Sequence, residues 1–277
     1  MNEFQKIIKY LAMGFGIFLT FIIITGIVSA VIGLSGVFSS GSSVNTTNIT
    51  ERYDNVKSIE IDHGVGKLYI LEGTEDQVVV EGSNIPEDYI IEKNFSGTLK
   101  IKNKVNVFNI VGFNNNNKST IRIYLPEGFV AEKFEINAGA GNVELNDITA
   151  KQLEIDAGAG NITGNRIYAD FFDLDGGVGN IELKDIEFLG SDIDCGVGNI
   201  ELSGNLLGKN KLECGVGEIS IDLYGSPDDY KLTVEKGLGN IKVNGEKYSN
   251  VSWNNITATN SLSISGGLGN IDINFQK

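Results

Sequence analysis

Six carboxylates recur at a fixed spacing: Glu154 and Asp156, Asp173 and Asp175, Asp192 and Asp194. The members of each pair stand at i and i+2, and every pair recurs at i+19. Residues two apart share one face of a strand. If segments at that offset stack, the six form one acidic face. Glu213 and Glu235 extend one of its columns, and Lys211 ends the other. Hard oxygen donors in such a cluster suit Ca2+ or Mg2+. Paired carboxylates on a β scaffold also serve polysaccharide-acting enzymes. The plainer alternative is a solvated face that attracts a basic partner and does so less at high salt. No cofactor is otherwise expected.

Little else in the chain could do covalent or metal chemistry. A single histidine, His63, excludes any site built from several imidazoles, and two cysteines exclude a four-cysteine zinc site or a disulfide scaffold. Cys195 and Cys214 occupy one slot at the same offset, where other copies carry Ala138, Ala157, Gly176 and Gly266. That slot calls for a small inward residue. In-register side chains point the same way, a poor geometry for a bridge, so two buried thiols are expected. His63 has no histidine or cysteine paired with it in sequence and is expected to be structural. With 36 acidic against 22 basic residues, the chain lacks the basic surface that nucleic acid requires.

The elements that must hold these residues follow from a repeat. Gly-x-Gly followed by Asn or Glu and then Val or Ile begins at Gly139, Gly158, Gly177, Gly196 and Gly215, always 19 apart. It returns at Gly237 and Gly267 after intervals of 22 and 30, which implies inserted loops. A divergent copy starts at Gly64. Neither a dinucleotide fingerprint nor a P-loop is present, so the glycines are read as corners between strands. The asparagines after them, Asn142, Asn161, Asn180, Asn199, Asn240 and Asn270, are expected to form a side-chain amide ladder.

Apolar and polar residues alternate on both sides of each corner. Aligned copies give apolar columns: Ile136, Ile155, Leu174, Ile193, Leu212, Val234, Ile264; and Val143, Ile162, Ile181, Ile200, Ile219, Ile241, Ile271. A third contains Leu145, Leu183, Leu202, Ile221, Val243 and Ile273, with Gly164 as its gap. Ile148, Ile167 and Ile186 start a fourth. The pattern predicts an all-β chain, a parallel β-solenoid with about 19 residues per coil over 135–277. Residues 51–134 are strand-rich but less regular and read as first coils or an N-terminal cap. Residues 108–117 read as a loop, and Leu125-Pro126-Glu127-Gly128 as a turn.

Residues 11–38 contain no charge. As a helix they reach ~42 Å, enough to cross a ~30 Å hydrocarbon core. Lys6 and Lys9 precede the run, and the next basic residue is Arg52. The charge bias predicts a single-pass transmembrane helix, with the 1–10 tail cytoplasmic and the C-terminal domain extracellular. A cleaved signal peptide ending at Ala30 is the competing reading, and the apolar run beyond Ala30 favours the anchor. Residues 39–50, uncharged and without periodicity, read as a flexible tether.

The Gly-x-Gly-Asn-Ile series, the stretches IEIDHGVGKLYI and RIYLPEG, and the N-terminal apolar run together resemble a bacterial adhesin-like family of β-strand-repeat proteins, from about Val56 to Phe275. The resemblance implies an anchored envelope protein without a shared catalytic residue set. The expected function is a non-enzymatic, membrane-anchored module that binds or senses a cell-envelope component. Its partners would be the membrane, through the helix, and an envelope glycan or a membrane protein, not nucleic acid. Two alternatives stand beside it: a signalling subunit of an envelope-stress system, and a polysaccharide-acting enzyme. Against the enzyme, aromatic residues for sugar stacking are sparse in the regular coils.

Overall fold

The structure, a computed structural model, describes residues 46–87, 89–102 and 119–276. The expected tail, membrane span and most of the tether lie outside these, as does the 108–117 loop. Among the described residues the chain is all β apart from the single 3-10 turn Pro227–Asp229, and no helix is long and apolar enough to cross a membrane.

Four strands of 17 residues, Val143–Ala159, Ile162–Val178, Ile181–Val197 and Ile200–Val216, lie side by side in parallel. Pairing runs Val143 to Ile162 to Ile181 to Ile200, an offset of 19 at each step. The apolar columns are therefore real stacks. Ile136, Ile155, Leu174, Ile193 and Leu212 are successive partners, and all are buried. Ile148, Ile167 and Ile186 likewise stack inside the core. At the Gly-x-Gly corners the coils approach so closely that a Cβ built on Gly179 would lie 1.8 Å from the Gly160 carbonyl oxygen. Only glycine fits there.

The order of coils at both ends differs from chain order. Of the last two strands in the chain, Asn260–Leu268 lies between Ile200–Val216 and Tyr230–Leu238, and Ile271–Gln276 between Ile219–Tyr224 and Ile241–Val243. At the other end, Ser58–Val65 lies between Thr98–Lys102 and Ala131–Ala140. Each outermost coil is covered by antiparallel strands. Ile90–Lys93 covers Thr98–Lys102, Val78–Pro86 covers Thr120–Leu125, and Val251–Trp253 covers Tyr230–Leu238. Covering the outer coils in this way leaves short strands at the sheet edges, a form that limits edge-to-edge pairing with another chain. Residues 46–50, expected within the tether, are instead part of a strand: Thr46–Tyr53 pairs with Val78–Pro86, and Ile49 packs against the core.

The asparagine ladder exists with different partners. The Asn142, Asn161, Asn180 and Asn199 Oδ1 atoms each accept from the backbone N–H of the matching residue one coil on, at 3.0–3.3 Å. Among the described residues, only Asn240 donates its amide to the side chain of another rung, Asn270, at 3.2 Å. The corner turns these N–H groups out of the strand ladder, and the side-chain oxygens satisfy them. Cys195 and Cys214 are register partners, free and buried. The Phe129 N–H closes the Pro126–Phe129 turn on the Pro126 carbonyl at 3.0 Å.

Candidate functional site

Register brings the six acidic residues together. Glu135, Glu154, Asp173, Asp192 and Lys211 form one column; Asp156, Asp175, Asp194 and Glu213 form the next. Lysines close the strip at both ends. Lys133 reaches Glu135 at 2.7 Å and Glu154 at 3.0 Å; Lys211 lies 3.2 Å from Asp192, 3.6 Å from Asp194 and 3.4 Å from Glu213. Between them, no basic side chain among the described residues pairs with Asp156, Asp173 or Asp175. Partial burial, reinforced by Asp175, raises the Asp156 and Asp173 carboxyl pKa values. Burial also raises Asp194, and Lys211 opposes it. Among the described residues, no three histidine, cysteine or carboxylate groups are placed to hold a metal ion. The strip is an electrostatic surface, lined up but not folded around a point.

A second feature lies where each coil bends. Among the described residues, six other than glycine have a left-handed backbone, and three are asparagines, which tolerate it. The others are Asp147, Arg166 and Asp185 (φ 58°, 55° and 55°), one slot repeated in three consecutive coils. An arginine gains nothing from this conformation. It is held by a two-pronged contact, with Arg166 Nε 2.5 Å and Nη2 2.7 Å from the two oxygens of Asp147. Hydrogen bonding to Asp147, then its charge, raises the Arg166 pKa, with Asp185 and Glu72 adding to it.

Each bend sends the next residue, Ile148, Ile167 or Ile186, into the core, and turns the one after it, Thr149, Tyr168 or Glu187, outward. Asn205 continues that outer row as the partner of Glu187, and Tyr224 follows on the next coil. With the Pro126–Phe129 turn and Glu72 these residues line a groove of about 410 Å3. Asn205 Nδ2 donates to Glu187 Oε2 at 3.4 Å. Partial desolvation, then the charges of Asp170 and Glu187, raise the Tyr168 hydroxyl pKa. Among the described residues, no histidine, cysteine or lysine lines the groove. The lone histidine is 2% exposed, with Nδ1 2.5 Å from the Tyr89 hydroxyl, and burial lowers its pKa to about 4. The groove therefore offers aromatic faces, carboxylates and an amide to a bound molecule.

The sequence reading did not find this groove. Its aromatics, Phe129, Tyr168 and Tyr224, are scattered along the chain and look sparse until the coils stack. The signal for it was the slot before the fourth apolar column, where Asp147, Arg166 and Asp185 recur at the period of the repeat.

The Toastrack DUF4097 family model matches residues 56–277. Among solved structures, the chain is similar to a putative adhesin from Bacteroides fragilis, with 19% identity, coverage of 84% of this chain and 100% of that one, and a TM-score of 0.48. It is also similar to a putative cell adhesion protein from Clostridium sporogenes, with 19% identity, 84% and 100% coverage, and a TM-score of 0.39. A putative lipid binding protein from Parabacteroides distasonis shows 18% identity, 84% and 97% coverage, and a TM-score of 0.48. No curated protein matches the chain.

Proposed function

The chain belongs to the Toastrack DUF4097 family, and from that premise we propose that it is a non-enzymatic, membrane-anchored β-solenoid that binds a cell-envelope component through the groove along its coils. The constant parallel register supports the solenoid. The uncharged run at 11–38, with Lys6 and Lys9 before it, supports an anchor that leaves the coils outside the membrane. The groove carries the binding reading. It is built on strands paired on both sides, the rigid setting a recognition surface needs. It combines aromatic faces with polar groups held by neighbours, as ligand sites do.

The test is retention of the full chain, in detergent, on insoluble envelope material stripped of lipid. The wild-type chain is expected to be retained. A Tyr168→Ala/Tyr224→Ala variant should be released, while Asp156→Asn/Asp173→Asn, on the acidic strip, should stay bound. Absence of wild-type retention ends the binding reading. Release by the strip variant alone moves the site from the groove to the strip.

A further inference from the structure

We infer that the groove takes a linear oligosaccharide without acid groups, lying along the stack with one sugar ring per coil. This rests on the binding reading above and names its ligand class.

The first observation is the direction of the groove. Thr149, Tyr168, Glu187, Asn205 and Tyr224 come from five successive coils. Coils pair at ~4.8 Å, so this outer row repeats at that interval and extends ~19 Å. A pyranose ring in a linear chain is about as long as one coil is high. A polymer laid along this row therefore meets an equivalent position at each ring.

The second is the chemistry of the row. Tyr168 and Tyr224 stand three coils apart, ~14 Å, with one other residue on each coil between them. Aromatic rings offer the flat apolar face that the C–H face of a sugar covers, and their hydroxyls stay wet. Tyr168 lines the groove from a strand paired on both sides, and Tyr224 is 40% exposed and free to stack. Between them, Glu187 and Asn205 hydrogen-bond each other and keep further lone pairs and an N–H for ring hydroxyls.

The third is charge. Glu72, Asp147, Asp185 and Glu187 face the groove against a single Arg166, already committed to Asp147. Uronates and phosphate-bearing polymers are repelled by that surplus. An extended peptide would gain its affinity from a free strand edge. Ile162–Val178 and Ile181–Val197 are paired on both sides and offer none. The backbone points to the same place, because Arg166, the one left-handed residue among those described that is not glycine, asparagine or aspartate, lies on this groove. Strain of that kind persists where surrounding structure holds it and gathers at binding sites.

The experiment is calorimetric titration of the full chain in detergent with three hexasaccharides: β-1,4-linked glucose, β-1,4-linked N-acetylglucosamine and α-1,4-linked galacturonate. At least one neutral hexamer should bind, its trimer at least tenfold more weakly, and galacturonate not measurably. Tyr168→Ala and Tyr224→Ala should each weaken binding at least tenfold with unchanged thermal midpoints. Phe171→Ala, exposed but outside the groove, should leave binding unchanged. The inference is overturned if no neutral hexamer binds at millimolar concentration, if galacturonate binds more tightly, or if both tyrosine variants bind like wild type. If envelope retention depends on the two tyrosines while every hexamer fails, the groove binds something other than a glycan, and only this inference falls.

Discussion

Replacing Gly179 by alanine separates two roles that a corner glycine can have. The left-handed backbone at φ 151° would cost any residue with a Cβ, and so would the space. The new Cβ would lie 1.8 Å from the Gly160 oxygen and 2.6 Å from its carbon. The coils must therefore move apart. Two inter-coil hydrogen bonds flank the clash, Gly160 N–H to Val178 O and Ile162 N–H to Asn180 O, both 2.9 Å. Losing both costs about 1–3 kcal/mol, and the backbone conformation adds about 1–2 kcal/mol. Gly245 supplies the control. It has φ 79° and nothing within 4 Å of its built Cβ, so Gly245→Ala carries only the backbone cost. For a chain of this size each kcal/mol lowers the midpoint by ~2–4 °C, so Gly179→Ala should fall by roughly 4–20 °C and Gly245→Ala by roughly 2–8 °C. Paired thermal scans of the two variants measure the difference directly. Equal shifts would refute the close approach of the coils as the reason for the repeated glycine.

The same geometry sets the outcome of four other perturbations. Asn180→Ala leaves the Asn199 N–H without its acceptor and should cost about 1 kcal/mol, whereas Glu218→Asn offers an oxygen to the Asn270 N–H and should raise the unfolding midpoint. Ile181→Asp, at a side chain 3% exposed between Ile162 and Ile200, should cost at least several kcal/mol or prevent folding, while Glu182→Lys next to it should stay within about 1 kcal/mol by denaturant titration. His63 has its pKa lowered from 6.5 to about 4, so the folded state disfavours its proton; its contribution is full above pH 6.5 and is lost as pH falls towards 4, by on the order of 3 kcal/mol. Comparison with His63→Gln isolates that loss, because the raised Asp156 and Asp173 carboxyls act with the opposite sign, favouring the folded state as pH falls. Asp175→Asn removes a charge among Asp156, Asp173 and Asp194, and should raise the midpoint at low salt, with the gain vanishing at high salt.

The regular coils were legible because a fixed period determines which side chains meet. Ile136, Ile155 and Leu174 had to stack once the constant offset was seen, and they do. The ends were not legible. An apolar column looks the same whichever coil lies beside it, so Val234 and Ile264 fall in chain order in the sequence although Ile264 is the one that pairs with Leu212. The acidic strip was readable from spacing, including its end at Lys211. Its other end was not, because Lys133 sits two residues before Glu135 and reaches across to Glu154. The groove was hidden for a different reason. Its residues are ordinary one by one, and only the repeated bend at Asp147, Arg166 and Asp185 aligns the row beyond it.

The central claim is that an envelope component occupies the groove along the coils. Hydroxyl-radical footprinting of the full chain, with and without lipid-free envelope polysaccharide, tests it at the side chains themselves. Tyr168 and Tyr224 should lose reactivity on binding, while Phe171 and Leu189, exposed but not lining the groove, should keep theirs. Protection at Phe171 and Leu189 with both tyrosines unchanged would contradict it.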